Sequence, residues 1–387
     1  MRIYLDHNAT TPLLPEVLDR MTTVLRDEFG NPSSVHHFGQ RTKAVLDEAR
    51  TAVATLLGGD VSDIVFTSGG TESDNFAIRG VAETMEAAGR RHLIATSIEH
   101  EAVLNTFRSL ARRGWRTTLL PVGQTGVVSP DALRSAITDD TAIVSVMHAN
   151  NEVGTIQPVA EMAAIAREHG ALMHTDAVQS AGKIPIDVKA LGVDLLSVSA
   201  HKFGGPKGAG ALWMRRGIRL APILTGGRHE RSRRAGTENV PGIAGFGVAA
   251  AAAVQKLAAE GERLGRLRDR LEQEVVRAVP GTAINGGGSP RVPNTTNISF
   301  ERVEAESLLI GLDLAGIAVS TGSACSSGTL EPSHVLKAMG FPAHRTQNSI
   351  RFSLGFGNTD ADIDRLVAAL PGIVEKLRNL TRTPARV

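Results

Sequence analysis

The sequence predicts an α/β fold: a mainly parallel β-sheet with helices on both faces, together with a smaller α+β domain. Short apolar segments alternate with segments of helical periodicity through the first half of the chain. The predicted strands are apolar throughout, which is typical of strands covered on both faces. With 387 residues, 42% of them hydrophobic, the chain is long enough for one large or two ordinary domains.

The first elements follow from periodicity and turn residues. Residues 4–12 are too polar for a helix and are predicted to form an ordered N-terminal arm. Apolar residues recur at helical spacing over residues 16–29 and about 39–57, with Gly30-Asn31-Pro32-Ser33-Ser34 between them. Residues 63–68 are a β-branched run and are predicted as a strand. Further strands are predicted at residues 92–96, 117–121, 143–147, 172–175 and 195–198, separated by helices at about 102–113, 130–137 and 159–169.

The last third of the chain is predicted to form the smaller domain. A long helical segment from about residue 241 to 279 bridges the two parts. Strands are predicted at residues 296–300, 317–319 and 350–354, and helices at about 305–314 and 360–377. We therefore expect a large domain at residues 15–255 and a small domain formed by residues 1–14 and 256–387.

Charge and composition narrow the function classes. The chain has 42 Lys and Arg against 40 Asp and Glu, and its net charge of +2 argues against nucleic acid or an anionic membrane as the main partner. No uninterrupted apolar run approaches the roughly 20 residues that cross a bilayer. The polar Asp6-His7-Asn8 near the start excludes a signal peptide. We therefore expect a cytoplasmic protein.

The segment after the strand at residues 63–68 is a candidate anion site. Gly69-Gly70-Thr71 turns the strand into a helix, and the free amides of a helix's first turn bind anions such as phosphate. Thr71 with Asp74 also fits a capping box, in which case the helix needs no ligand. Strand, glycine pair and hydroxyl together favour a phosphate at Gly70 and Thr71.

Lys202 lies where an apolar strand enters a glycine-rich loop, in Ser199-Ala200-His201-Lys202-Phe203-Gly204-Gly205. Burying an unpaired ammonium group is costly, so such a lysine is exposed, paired, or kept neutral for chemistry. One interpretation is an ordinary loop lysine. The other is a Schiff-base lysine that holds an aldehyde cofactor, with Ser199 and His201 beside it.

Polar side chains gather at the carboxyl ends of the predicted strands, where open α/β sheets bind their ligands. His100 follows one strand, Asn151 another, Asp176 and Gln179 a third, and Lys202 a fourth. Each could also be a helix cap or an ordinary loop residue. A phosphate site, an acid, an imidazole and a lysine at one edge suit a pyridoxal 5′-phosphate pocket, where the acid keeps the ring nitrogen protonated and the ring accepts electrons.

Nine motifs follow one another along the chain. They are the segments at residues 4–12, 30–36, 69–73, 148–154, 176–179, 199–202, 234–239, 320–333 and 349–355. In sequence and order they resemble the NifS/IscS-type cysteine desulfurases, which belong to the class V aminotransferase group of pyridoxal phosphate enzymes. The resemblance covers nearly the whole chain and implies a fold-type I enzyme with a seven-stranded sheet.

The resemblance also implies roles around the cofactor ring. Lys202 would form the Schiff base, Asp176 would pair with the pyridine nitrogen, and Gln179 would hydrogen-bond the phenolic oxygen. His100 would stack on the ring and help to move protons.

Two further groups of residues are implied around the phosphate and the substrate. The residues expected at the phosphate are Gly70, Thr71, Ser199 and His201, joined by Thr237 from the second subunit of a homodimer. The residues expected at the substrate, L-cysteine, are Asn31, Asn151, which also borders the cofactor, and Arg351, which would bind the carboxylate as a fork.

The single cysteine excludes an intrachain disulfide framework and leaves one thiol, Cys325, to explain. Its surroundings, from Ser320 to Thr329, are small, polar and aperiodic, unlike those of a core cysteine. The resemblance implies that the Cys325 thiolate attacks the substrate sulfur, leaving L-alanine and a persulfide on Cys325. Acceptors would be an iron–sulfur scaffold protein, where Cys325 could transiently ligate a nascent cluster, or a relay for tRNA or cofactor thiolation. No resident metal is expected.

Two other interpretations stay open. A selenocysteine lyase or another class V aminotransferase-like enzyme would share Lys202 and Asp176, although an aminotransferase would not need Cys325. A non-catalytic docking protein could keep the same fold, but the presence of Lys202, His100 and Cys325 speaks against it.

Overall fold

A seven-stranded β-sheet lies at the centre of the larger part of the molecule. The structure, a computed structural model, describes residues 2–322 and 332–382. After a short N-terminal strand, β1 (Ile3–Tyr4), the strands of this sheet are β2 (Ile64–Thr67), β3 (His92–Thr96), β4 (Arg116–Leu120), β5 (Thr141–Ser145), β6 (Leu172–Asp176), β7 (Leu195–Ser199) and β8 (Gly210–Met214). Their order is β2-β8-β7-β6-β5-β3-β4, in which β8 runs antiparallel to both of its neighbours and the other pairs are parallel.

Helices cover both faces of this sheet. They are α1 (Pro15–Asp27), α2 (His37–Leu57), α3 (Gly70–Glu86), α4 (Glu101–Ala111), α5 (Pro130–Ala136), α6 (Val159–Glu168), α7 (Val188–Leu191) and α8 (Val240–Ala278). Strand β2 shows why its sequence is apolar throughout. Ile64 and Phe66 pack into the core on one face and Val65 into the core on the other, because successive side chains of a strand point to opposite faces.

The mainly parallel α/β sheet predicted from the sequence is confirmed, and the boundaries of its predicted strands lie within two residues of those observed. The strand predicted at residues 143–147 begins earlier, at Thr141. Strand β8 was not predicted, because its Gly-Ala-Leu-Trp-Met sequence directly follows a glycine-rich loop. It pairs with β7 and β2, and so links the strand before Lys202 to the strand before the glycine pair.

A smaller antiparallel sheet packs beside the first one. Its strands are β9 (Thr282–Asn285), β10 (Thr295–Phe300) and β12 (Ser349–Ser353), in the order β12-β10-β9, and β1 pairs in parallel with the separate strand β11 (Ile317–Ala318). The helices of this part are α9 (Ala305–Leu314), α10 (His334–Ala338), α11 (Ala343–Gln347) and α12 (Asp360–Arg382). The N-terminal arm therefore lies against the C-terminal part of the chain.

Helix α8 contributes to two hydrophobic cores. Its first part, including Val240 and Phe246, packs into the core of the seven-stranded sheet, and its second part, including Leu264 and Leu271, packs into the core of the smaller sheet. By length and composition, α8 is also the one helix within the described ranges that could cross a membrane. Half of its most apolar stretch is buried, largely against α1 and α2, as in the core helix of a soluble protein.

Candidate active site

The carboxyl ends of the parallel strands open into a pocket. Its lining combines the first residues of α3 with convergent polar side chains, an arrangement that suits a cofactor or another small molecule. The structure brings together all the residues expected around the cofactor except Thr237. The lining residues are Gly70, Thr71, Asp74, His100, Met147, Asn151, Asp176, Val178, Gln179, Ser199, His201 and Lys202.

The N-terminus of α3 forms one wall of the pocket. The N-cap is Gly69, with φ +152°, and no side chain of the described residues caps the first turn. The capping-box alternative for Thr71 and Asp74 is therefore wrong, because the N-cap is Gly69 and the helix begins two residues earlier than that motif requires. A Cβ on Gly70 would lie 2.8 Å from Cγ2 of Val178, so glycine keeps this wall open. The uncapped amides provide an anion site.

Lys202 follows β7 in a short 3₁₀ turn, Ala200–Lys202. Its Nζ donates hydrogen bonds to the backbone oxygens of Asn8, at 2.7 Å, and Ala9, at 2.9 Å. Burial, together with the nearby Arg351 guanidinium, lowers the pKa of Lys202 to about 8. Far more Lys202 side chains therefore carry a neutral, nucleophilic amine near physiological pH than an ordinary lysine would allow.

Asp176 lies at the end of β6 and is buried. One of its carboxylate oxygens, Oδ1, accepts a hydrogen bond from the backbone N–H of Val178 at 2.8 Å. Burial raises the pKa of Asp176, while His100 and Lys202 act in the opposite direction. A positively charged N–H donor in the pocket would stabilise the carboxylate form.

His100 caps α4, because its Nδ1 accepts a hydrogen bond from the backbone N–H of Ala102 at 3.1 Å. In the neutral ring this contact places the proton on Nε2. Desolvation lowers the pKa of His100, although the neighbouring Asp176 raises it. The imidazole therefore enters the pocket neutral, with an N–H donor at Nε2.

Arg351 lies on β12 beside the pocket and is 4% exposed. Its guanidinium donates to the backbone oxygen of Asn151 at 3.0 Å and to Oδ1 of Asp6 at 2.6 Å. Its Nε is buried without a hydrogen-bond partner in the described part of the chain. A buried donor of this kind is costly unless a ligand supplies an acceptor, and a carboxylate is the acceptor that a guanidinium binds best.

The remaining expected residues lie elsewhere. Asn31 is exposed, and its Oδ1 accepts a hydrogen bond from the backbone N–H of Ser33, so it does not line this pocket. Thr237 is exposed in the segment before α8 and does not line the pocket of its own chain. Cys325 lies outside the described residues.

Two acids near Asp176 were not expected at the site. Asp74 is buried, and burial together with Asp176 raises its pKa well above the ordinary value. Burial also raises the pKa of Glu99 to about 8, although Thr96 and the Met147 N–H donate to it. Burial therefore opposes the charged form of both acids, and Glu99, with a pKa of about 8, is mainly protonated near neutral pH.

The N-terminal arm also reaches the pocket, through Asn8. The backbone oxygen of Asn8 accepts from Lys202 and from Nε2 of Gln179, and its Oδ1 accepts from Nζ of Lys183 at 2.8 Å. The sequence signal for Asn8 was its place in a polar N-terminal segment. The signal for Lys183 was its spacing of four residues from Gln179.

A family model described as "Aminotransferase class-V" matches residues 3–366. The chain therefore belongs to the class-V aminotransferase family, whose members of this type are pyridoxal phosphate enzymes.

Individual relatives narrow this class to the NifS/IscS-type cysteine desulfurases. A "Cysteine desulfurase IscS" from Dictyoglomus turgidum is 49% identical over 379 residues, which is 98% of this chain and 96% of the relative. Another, from Methanosarcina thermophila, is 50% identical over 379 residues, or 98% of this chain and 93% of the relative. A solved structure titled "NIFS-LIKE PROTEIN" has a TM-score of 0.88 at 38% identity, covering 99% of this chain and 100% of that one. The NifS-like protein from Rickettsia africae has a TM-score of 0.87 at 34% identity, covering 97% and 100%.

The residues of the pocket fit pyridoxal phosphate. The uncapped first turn of α3 matches a phosphate, and the glycine at position 70 keeps that wall free of a side chain. Asp176 matches a protonated ring nitrogen, because such a group would stabilise its buried carboxylate. The partly neutral amine of Lys202 matches the aldehyde.

Proposed function

We propose that this protein is a cysteine desulfurase that converts free L-cysteine into L-alanine and a persulfide on Cys325. The C–S bond of the substrate breaks, an S–S bond to Cys325 forms, and the carbon skeleton gains the proton that completes alanine. The observation that carries the proposal is that Lys202, with its lowered pKa, lines the pocket, while the buried Arg351, with its unpaired Nε, contacts the lining residue Asn151.

The bound cofactor supplies an electron sink for the bond broken at the substrate Cα. The neutral Nζ of Lys202 holds the cofactor and, once displaced by the substrate amine, takes the Cα proton. With the cofactor bound, Asp176 would stabilise a proton on the ring nitrogen, and Gln179 would donate to the phenolic oxygen. Nε2–H of His100 is placed to deliver a proton within the pocket.

Arg351 and Asn151 orient the substrate in this proposal. A carboxylate at Nε of Arg351 would satisfy a buried donor, and the backbone contact from Arg351 to Asn151 fixes the guanidinium. The phosphate of the cofactor would be held by Gly70, Thr71, Ser199 and His201. A solved structure titled "SspA in complex with cysteine", 34% identical with a TM-score of 0.81 over 92% of this chain and 99% of that one, supports an amino acid ligand of this size.

Cys325→Ala tests the proposal. We expect alanine formation from L-cysteine, with pyridoxal phosphate and a thiol reductant present, to fall by about one to two orders of magnitude, because the variant has no thiol to accept the sulfur. Persulfide on the protein, trapped with an alkylating reagent, should disappear as well. Equal activity in both proteins would remove Cys325 as the carrier, and no activity in either would favour another substrate or a docking role.

The lowered pKa of Lys202 predicts how cofactor attachment depends on pH. Attack on an aldehyde needs the neutral amine, so the attachment rate should rise with pH and level off above about 8, instead of near the ordinary lysine value of 10.5. Stopped-flow absorbance of apoenzyme mixed with pyridoxal phosphate measures this rate. Arg351→Gln should move the midpoint upward, because a positive neighbour is removed. A wild-type midpoint near 10.5 would contradict the proposed state of Lys202.

The proposal extends to the subunit arrangement, the sulfur acceptors and the domain division. We infer a homodimer in which Thr237 of one chain reaches the phosphate site of the other, which is supported by its exposed position outside its own pocket. Asn31 is proposed as a substrate-binding residue on the basis of the sequence resemblance alone. Sulfur acceptors would be an iron–sulfur scaffold protein or a thiolation relay, in the cytoplasm. The change of core along α8 supports a domain division near residue 255.

A further inference from the structure

Lys183 is a second lysine beside the pocket whose role no motif explained. Its Nζ donates hydrogen bonds to Oε1 of Gln179 at 2.7 Å and to Oδ1 of Asn8 at 2.8 Å. No carboxylate of the described residues forms an ion pair with it. Burial lowers its pKa well below the ordinary value, and Lys202 and Arg351 add to this effect. A partly buried ammonium that contacts two neutral amides is costly to keep, which calls for an explanation.

The contact with Lys183 fixes which end of the Gln179 amide faces the pocket. Nζ of Lys183 donates to Oε1 of Gln179, so the oxygen is the end of the amide that faces the lysine. The nitrogen, Nε2, then points the other way, where it donates to the backbone oxygen of Asn8 at 2.9 Å. That carbonyl also accepts from Lys202, so it lies among the groups that bind the cofactor.

We propose that Lys183 is a positioning residue, which holds Gln179 with its N–H₂ group as the donor toward the cofactor's phenolic oxygen. The inference rests on the proposed function, because it needs Gln179 to contact that oxygen. Without Lys183 the amide can rotate by half a turn and present its oxygen, which would repel a phenolate. The sequence motif does not determine the orientation of the Gln179 amide. Its contacts with Asn8 and Lys183 would do so.

The test is a double-mutant cycle on the loaded enzyme, read as the pH midpoint of its visible absorption band. A donor to the phenolic oxygen favours the deprotonated form of the chromophore and so lowers that midpoint. We expect Lys183→Met to raise the midpoint by about half to one pH unit and to weaken pyridoxal phosphate binding by about three- to tenfold. Lys183→Arg should restore both values, since a guanidinium also offers donors only. Lys183 borders a partly open cavity, so the longer arginine side chain does not have to enter a packed core.

The second arm of the cycle separates positioning from charge. The other titratable or charged groups that act on Lys183 or line the same cavity are Lys202, Arg351, His7, Lys256 and Glu260. Loss of a positive charge would raise the midpoint whether or not Gln179 is present. If Lys183 acts through Gln179, Gln179→Leu should reproduce the shift, and Lys183→Met should add nothing in that background. Additive shifts would overturn the inference in favour of a charge effect.

Controls distinguish the failure of this inference from that of the proposed site. Lys189→Met, at an exposed lysine of α7, should leave the midpoint and the cofactor affinity unchanged. If Gln179→Leu shifts the midpoint and Lys183→Met does not, the role of Lys183 is refuted and the site stands. If Gln179→Leu also has no effect, the proposed contact of Gln179 with the cofactor is refuted together with the inference.

Discussion

Lys202→Ala should reduce alanine formation from L-cysteine by at least about a thousandfold, because one side chain supplies both the covalent hold on the cofactor and the base for the Cα proton. The pocket contains no second lysine that can take over at the same place in the described structure, since Lys183 is engaged by Gln179 and Asn8. The variant should still bind the cofactor through the α3 N-terminus and Asp176, and should lose it on dialysis.

Turnover and absorbance together check this expectation. Lys207→Ala provides the matched control, because Lys207 is an exposed lysine in the same glycine-rich loop. It should retain nearly full activity and a dialysis-resistant chromophore. Activity of Lys202→Ala within tenfold of wild type would contradict the proposed roles of Lys202.

Glu230→Ala should destabilise the protein by about 3–5 kcal/mol, since it leaves the buried Arg50 guanidinium without its counter-charge. Arg50 and Glu230 form a two-bonded pair, at 2.8 and 2.7 Å, and are 8% and 7% exposed. Glu230 also accepts the backbone N–H of Phe66 on β2, at 2.9 Å. One carboxylate thus joins α2, β2 and the segment that leads to Thr237.

The backbone at Glu230 gives a second reason for a large effect. Glu230, Arg231 and Ser232 have φ values of 44°, 59° and 63°, a left-handed conformation that residues with a side chain adopt at a cost. The buried pair offsets this cost. Without the pair, residues 230–232 should also leave the left-handed conformation. The urea midpoint measures the stability. Glu48→Ala, which breaks an exposed pair with Arg20, should change the free energy of unfolding by less than about 1 kcal/mol. Equal effects of the two variants would refute the argument.

The sequence predicted the sheet and most of the pocket because the relevant signals are local. Continuous apolar strands and helical periodicity need a window of a few residues, and strand ends of a parallel sheet converge whatever lies between them. Lys202, Asp176 and His100 were found in this way. Strand β8 was missed because its pairing partners lie far apart in sequence and its own residues include glycine and alanine.

The rest of the site depends on contacts that no local pattern encodes. Asp74 matched a capping box by spacing, yet the structure buries it beside Asp176, since α3 begins at Gly70. The role proposed for Lys183 depends on its contact with Asn8, which is 175 positions away in the sequence. The unpaired Nε of Arg351 is a matter of tertiary packing and is invisible in the sequence.

The attachment of the N-terminal arm sets the order in which the protein can be completed during synthesis. Ile3 pairs with Ile317 and Asp6 with Ser353, while Asn8 holds Lys202 and Lys183. During synthesis, residues 3–6 must therefore wait for residues 317–353 before they find their partners. Contacts of such long sequence separation form slowly. A nascent chain stalled before β12 would possess every pocket residue on the seven-stranded sheet and still lack the strand that pairs with Asp6 and carries Arg351. Completion of the site should therefore be among the late events of folding.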